Sequence, residues 1–204
     1  MPTYRQMQSI RDLLKVKLNH EQSLQISKML ADYLNRHQTD TDSYDQAKFS
    51  DLTNLYLYEH GLVRNKGLKD YLLSDFLANN RFLVSQKKVP YDLFDHSILD
   101  LEIKDGIFIN EEINSYFDIY KEFVALNLLS MTNPQIPLQV IQLMNIKFDR
   151  RFMRILSYYS AIYCLHLIVE KEKNQAINEQ LDYKLNYMFE LYNDFTTEQP
   201  AWYK

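Results

Sequence analysis

Four cations, Lys147, Arg150, Arg151 and Arg154, follow one another at spacings of i, i+3, i+4 and i+7. If a single helix covers them all they share a face, and three guanidiniums so placed can grip phosphates or a carboxylate-rich partner bidentately. The competing reading is that they pair with the acidic stretch 91–122 or solvate the polar end of an otherwise buried helix. A second basic group, Arg64, Lys66 and Lys69, lies in and beside a turn flanked by Gly61 and Gly67. Two helices joined there, with a hairpin downstream, sketch a winged helix that would contact nucleic acid. The would-be wing, however, carries Asp100, Glu102 and Asp105, which repel a phosphate backbone.

Asp92, Asp95, His96, Asp100 and Glu102 form the only sequence cluster with the oxygen and imidazole groups of a hard-metal site. No second Glu-x-x-His or paired motif completes it, so a decorated acidic loop is expected and no metal or cofactor is assigned. Ser157 and Ser160 fall inside a predicted helix, away from any nucleophile elbow. Cys164 and His166 are two apart, which on a helix turns them roughly 200° from each other, so they cannot act as nucleophile and base. Cys164 reads as a small buried hydrophobe and His166 as a core histidine. No catalytic residue is nominated. The tyrosines at 158, 159, 163, 183, 187 and 192 fit a core whose hydroxyls reach its edge, or an aromatic contact surface.

These residues need elements to position them. The 204-residue chain, 46% hydrophobic with 16 Tyr and 11 Phe, can bury a sizeable core, and a single domain over 1–204 is expected, with any subdivision near 80–110. With only three glycines, loops that cradle phosphate and β folds rich in tight turns are disfavoured. One cysteine rules out an intramolecular disulfide and a cysteine-based zinc site. The start of the sequence lacks a signal-peptide pattern, and the longest apolar stretch, 155–169, is shorter than the ~20 residues of a membrane span. A cytoplasmic protein without a membrane partner is the expectation. Charge alternates in blocks: 61–90 holds six basic and two acidic groups, 91–122 two basic and nine acidic, 147–173 six basic and three acidic. Blocks of alternating sign favour pairing inside the fold over a field suited to nucleic acid.

Apolar periodicity predicts helices over 4–18, 19–37, a segment ending at His60, 67–79, 111–131, a short one from Leu138, 149–173 and 175–195. Asn19 with Gln22 makes a capping box, Gly61 suits a left-handed C-cap, and Asn110 suits an N-cap. Leu99, Leu101 and Ile103 alternate with polar residues before Asp105-Gly106, a hairpin signature. The predicted fold is mainly α, an irregular bundle of about seven or eight helices with one short β-hairpin near 98–109. The tail from Thr196 is expected to be loose unless Trp202 docks. The leading functional expectation is a non-enzymatic protein-interaction or regulatory module that binds another protein through the basic helix face and an aromatic helical surface. A homodimer is expected if that surface exceeds what one core can cover. The alternatives are a nucleic-acid-binding regulator, and an all-α enzyme whose site is assembled from distant residues.

Overall fold

A computed structural model of the chain describes residues 9–37, 46–64, 66–90, 93–94, 97–104, 107–109, 117–144, 146–173 and 178–203. Among them seven α-helices run in the order α1 (His20–His37), α2 (Phe49–Gly61), α3 (Leu68–Asn80), α4 (Ile119–Leu129), α5 (Gln135–Leu143), α6 (Arg150–Lys173) and α7 (Asn178–Leu191). Four short strands accompany them: β1 (Gln46–Lys48), β2 (Lys88–Pro90), β3 (Glu102–Lys104) and β4 (Ile107–Ile109). The mainly α class expected from the sequence is the class observed. The chain divides into two compact, discontinuous units, one of Met1–Tyr44, Asp92–Phe148 and Trp202–Lys204, the other of Asp45–Tyr91 and Asp149–Ala201.

In the first unit α1 packs along α5, and α4 packs on α5. The expected capping box at α1 is present: Asn19 N–H donates to Gln22 Oε1 at 3.0 Å, and Gln22 N–H to Asn19 Oδ1 at 2.9 Å. The helix expected over 4–18 is reduced, in its described part, to a 3-10 turn at Ile10–Leu14. The reason is competition for backbone groups. Thr132 Oγ1 donates to Leu14 O at 2.7 Å, and Asn133 Nδ2 donates to Leu13 O and Val16 O at 3.0 and 2.9 Å. Asn133 Oδ1 in turn accepts the Leu18 N–H at 2.8 Å. One buried carboxamide thus satisfies three backbone groups that a helix would have paired internally.

The hairpin expected near 98–109 is narrower than its sequence signature. β3 and β4 pair antiparallel with Ile103 opposite Phe108, and the Asp105-Gly106 turn lies outside the described residues. Leu99 belongs instead to a 3-10 turn at Ile98–Asp100. There Ser97 Oγ accepts the Leu99 N–H, and Asp100 Oδ2 accepts the Ser97 N–H at 3.0 Å. Asn110, the expected cap of the next helix, is also outside the described residues. Phe117 and Asp118 are non-helical, and Asp118 caps α4 by accepting the Tyr120 N–H at 2.9 Å. Pro137 sits in the first turn of α5, where a missing N–H is tolerated.

In the second unit α2, α3 and α7 all pack on α6. α6 was expected to be buried and is: 15 of its residues are buried, among them Tyr158, Tyr159 and Cys164. It is long and apolar enough to cross a membrane, and 83% of its most apolar stretch is buried within the protein. β1 and β2, too short for alternation to reveal, pair antiparallel from Gln46 opposite Pro90 to Lys48 opposite Lys88. Apolar spacing around Phe49, Leu52 and Tyr56 turns Leu55 of α2 inward as well, but it is 47% exposed, and α3 buries Leu73 and Leu77 while Leu68 and Tyr71 face solvent. Gly61 is the last residue of α2, not a left-handed cap, because the chain leaves through Leu62 at φ −84°.

Asn133→Ala tests the account of the first unit. It leaves two carbonyls and one N–H without their partner, so urea denaturation should show a loss of about 2–4 kcal/mol. Asn19→Ala, which removes only an exposed cap, should cost about 1 kcal/mol.

Candidate functional site at the start of α6

α6 begins at Arg150 because Asp149 caps it. The Asp149 carboxylate accepts the Phe152 N–H at 3.0 Å, and its carbonyl accepts the Met153 N–H at 3.1 Å. Lys147 lies in the non-helical segment ahead of that cap. It is therefore not on the helical face with Arg150, Arg151 and Arg154, which corrects the four-residue face read from spacing. The three arginines do occupy the first turns of one helix. Arg150 is 80% exposed at its side chain, Arg151 is exposed, and Arg154 is half-buried.

Arg150 and Arg154 share the carboxylate of Glu198. Arg150 Nε donates to Glu198 Oε2 at 2.8 Å and Nη2 to Oε1 at 3.5 Å. Arg154 Nε stands 2.9 Å from Oε1, a contact of charge with no aligned hydrogen bond. The guanidinium of Arg154 also lies 5.4 Å from the centre of the Phe82 ring, a cation–π distance. Phe82 itself is 61% exposed. No local signal could have paired residues 48 positions apart.

Backbone geometry carries Glu198 to this place. After α7 the chain takes three consecutive left-handed residues, Asn193, Asp194 and Phe195, with φ of 48°, 54° and 59°. Asp194 N–H donates to Phe189 O at 2.8 Å, and Thr197 donates to Tyr192 O from both N–H and Oγ1. Phe195 is buried, stacked on Tyr192 with 5.3 Å between centroids and edge-on to Phe189. Ala201 N–H then returns to Leu191 O at 2.9 Å. The tail, expected to be loose unless Trp202 docks, is anchored, with Trp202 docked. In the first unit, Trp202 Nε1 donates to Asn127 Oδ1 at 2.9 Å and the Tyr203 hydroxyl to Phe148 O at 3.3 Å.

The second basic group is largely engaged. Lys66 Nζ donates to Gly61 O at 2.9 Å, and Lys69 Nζ donates to Asn186 Oδ1 at 2.8 Å while standing over Phe189. Arg64 is exposed. The joint between α2 and α3 is pinned by Asp70, whose two oxygens meet His60 Nε2 and the Gly67 N–H, both at 2.8 Å. The exposed residues of α3 include Leu68, Tyr71 and Asp75, a poor set for a recognition helix.

Cys164 is fully buried, and burial pushes its thiol far up, so it is inert as a nucleophile. His166 is half-buried between the rings of Tyr56 and Tyr163. Of the acidic cluster, Asp92, Asp95 and His96 lie outside the described residues, and Asp100 is held by Ser97 and Arg11. The described residues contain no group of three or more metal-ligating side chains. The tyrosine run fills the core. Tyr158 and Tyr159 are fully buried against Phe49, and the Tyr158 hydroxyl donates to Thr53 Oγ1 at 3.2 Å.

Large apolar side chains are exposed on α2 and at its C-cap, where Leu55, Tyr58 and Leu62 are 47%, 68% and 65% exposed, and also on α3 (Leu68, Tyr71) and at Tyr183 of α7. Sequence periodicity missed the α2 stripe because Leu55 reads as inward. It also missed a buried ion pair on α4, where Lys121 Nζ lies 3.2 Å from Glu122 Oε1 with both side chains about 95% or more covered. Glu122 Oε2 accepts the Ile98 N–H at 2.7 Å. Burial pushes the Glu122 carboxyl above the ordinary glutamate range, and Lys121 and the Ile98 N–H oppose that only in part.

No family model matches the chain, and no curated protein or solved structure matches it either.

Glu122 gives a pH test. Its native pKa is raised, so the folded state binds the proton more tightly than the unfolded state and stability falls as pH rises from about 4.3. The stability of wild type relative to Glu122→Gln, from urea midpoints, should therefore decline across that window and level off above it. Glu122→Leu, which removes the acceptor for Ile98 and the carboxylate beside Lys121 together, should cost about 3–5 kcal/mol.

Proposed function

We propose that this chain is a non-enzymatic protein-interaction module that docks a protein partner on the second unit. The observation that carries the reading is the solvent-facing stripe of Leu55 and Tyr58 on α2 with Leu62 at its C-cap. At i, i+3 and i+7 these side chains share one arc of the helix surface. Large apolar groups clustered on a helix arc gain by being covered, roughly 1.5–3 kcal/mol for each that is fully buried. Tyrosine suits such a contact because its ring is rigid and its hydroxyl stays wet. The basic start of α6, with Phe82 beside it, supplies a second contact of the opposite chemical character, and the two together favour a partner with apolar and acidic groups. A cytoplasmic setting belongs to the same proposal and fits a core helix buried over 83% of its most apolar stretch.

The nucleic-acid alternative has less behind it, since Lys66 and Lys69 are turned onto the protein itself. One experiment separates the two. Tagged wild type and the Leu55→Ser/Tyr58→Ser variant are recovered from native cells with and without nuclease. The proposal expects a protein partner that survives nuclease, is retained by wild type and is lost by the variant, while the thermal stability of the variant stays within about 0.5 kcal/mol. Recovery that disappears with nuclease, or that the variant retains in full, overturns it. A second copy as the partner would register as a concentration-dependent mass in sedimentation of the purified chain.

A further inference from the structure

Resting on the protein-interaction reading, we infer that the arginine face at the start of α6 is a carboxylate-binding site for an acidic peptide segment of the partner, with Glu198 as its resident internal ligand. Glu198 is seated as an incoming glutamate would be: one oxygen on Arg150 Nε at 2.8 Å, the other near Arg150 Nη2 and Arg154 Nε at 3.5 and 2.9 Å. Three features make this a site more than a surface pair. First, the one Glu198 carboxylate is shared by the guanidiniums of Arg150 and Arg154, and a third, Arg151, is exposed in the same turn of the helix. Counting the Asp149 carboxylate, which accepts the Phe152 N–H, the start of α6 sets three guanidiniums against two carboxylates. Positive charge is therefore left over, and the N-terminus of a 24-residue helix adds to it. Second, the exposed Phe82 ring under Arg154 offers an apolar wall next to the cations. An acidic segment with an apolar side chain would match both. Third, the internal ligand can leave without unfolding anything. Thr197 and Ala201 hold the backbone on either side through Tyr192 O and Leu191 O, so only the Glu198 side chain has to swing out.

The energetics favour exchange. Arg150 is largely in water, and exposed ion pairs are weak and screened by salt. A segment with several carboxylates, meeting Arg150 and Arg151 together, displaces a single one by multivalency. Peptide is favoured over nucleic acid because the resident group is a planar carboxylate, held by the Nε–Nη2 fork that matches its geometry.

The test is fluorescence anisotropy with a labelled peptide of alternating glutamate and tyrosine, run beside a labelled single-stranded DNA. Glu198→Gln should bind the peptide about two- to fivefold tighter than wild type, the range over which a weak surface pair restricts a competent state. Arg150→Gln/Arg151→Gln, at exposed positions that leave the fold intact, should abolish the gain, and added salt should weaken binding throughout. Equal affinity of wild type and Glu198→Gln overturns the internal-ligand inference. No peptide binding by either protein overturns the carboxylate site, while the α2 stripe stands or falls separately by cellular recovery of Leu55→Ser/Tyr58→Ser. Binding of DNA in preference to peptide by Glu198→Gln overturns the assignment of the ligand.

Discussion

A helix that is apolar around most of its circumference cannot face water, and α6 is such a helix. Its burial is the constraint from which the second unit follows. α2, α3 and α7 are the elements that cover it, and the aromatic residues Phe49, Tyr158, Tyr159 and Tyr192 fill the space around it. Covering α6 along its middle leaves its two ends open, and at the first turns the sequence turns from apolar to arginine. The basic face is therefore one of the two ends at which a buried helix reaches solvent, with Arg150 and Arg151 exposed at its start and Glu172 and Lys173 at its finish. The inner surfaces of the covering helices are used on α6, which leaves Leu55 and Tyr58 on the outer arc of α2 and Leu62 at its C-cap. Both contact surfaces invoked for partner binding are thus by-products of how one helix is buried.

Side-chain hydrogen bonding plays the corresponding part in the first unit. Asn133, fully buried, replaces helical pairing for Leu13, Val16 and Leu18. Buried polar groups of this kind fix one backbone path against alternatives of similar hydrophobicity, because any other path leaves them unpaired. The Lys121–Glu122 pair and the Ile98 N–H impose the same restriction at the start of α4.

Much of the helix content was legible in the sequence, for a plain reason. α1, α6 and α7 are long, so a 3.6-residue period has room to show, and the Asn19–Gln22 box and the Asp149 start mark their beginnings by local chemistry. What failed was decided by distant residues. Nothing near Leu14 announces that Thr132 and Asn133 will take its neighbours' carbonyls. Nothing near Arg150 announces Glu198. The three-residue strands β1 and β2 are below the length at which alternation means anything. Leu55 was read inward because hydrophobicity alone does not say which of two apolar arcs a helix buries. Of the candidate site, Arg150, Arg151 and Arg154 could be found from spacing. Lys147 could join them only if the helix covered it, and the carboxylate cap at Asp149 begins the helix after it.

The division of the chain into interleaved segments bears on how the protein is made. Each unit takes its parts from both halves of the sequence: 45–91 with 149–201, and 1–44 with 92–148 and the last three residues. During synthesis α2 and α3 leave the ribosome well before α6, the helix they are built to cover. For that interval their apolar faces have no native partner, and the chain is exposed to wrong pairing or capture by chaperones. Domains assembled from early and late segments carry many long-range contacts and fold slowly for that reason. A nascent chain stopped before residue 149 would contain half of the second unit and none of the helix that organises it.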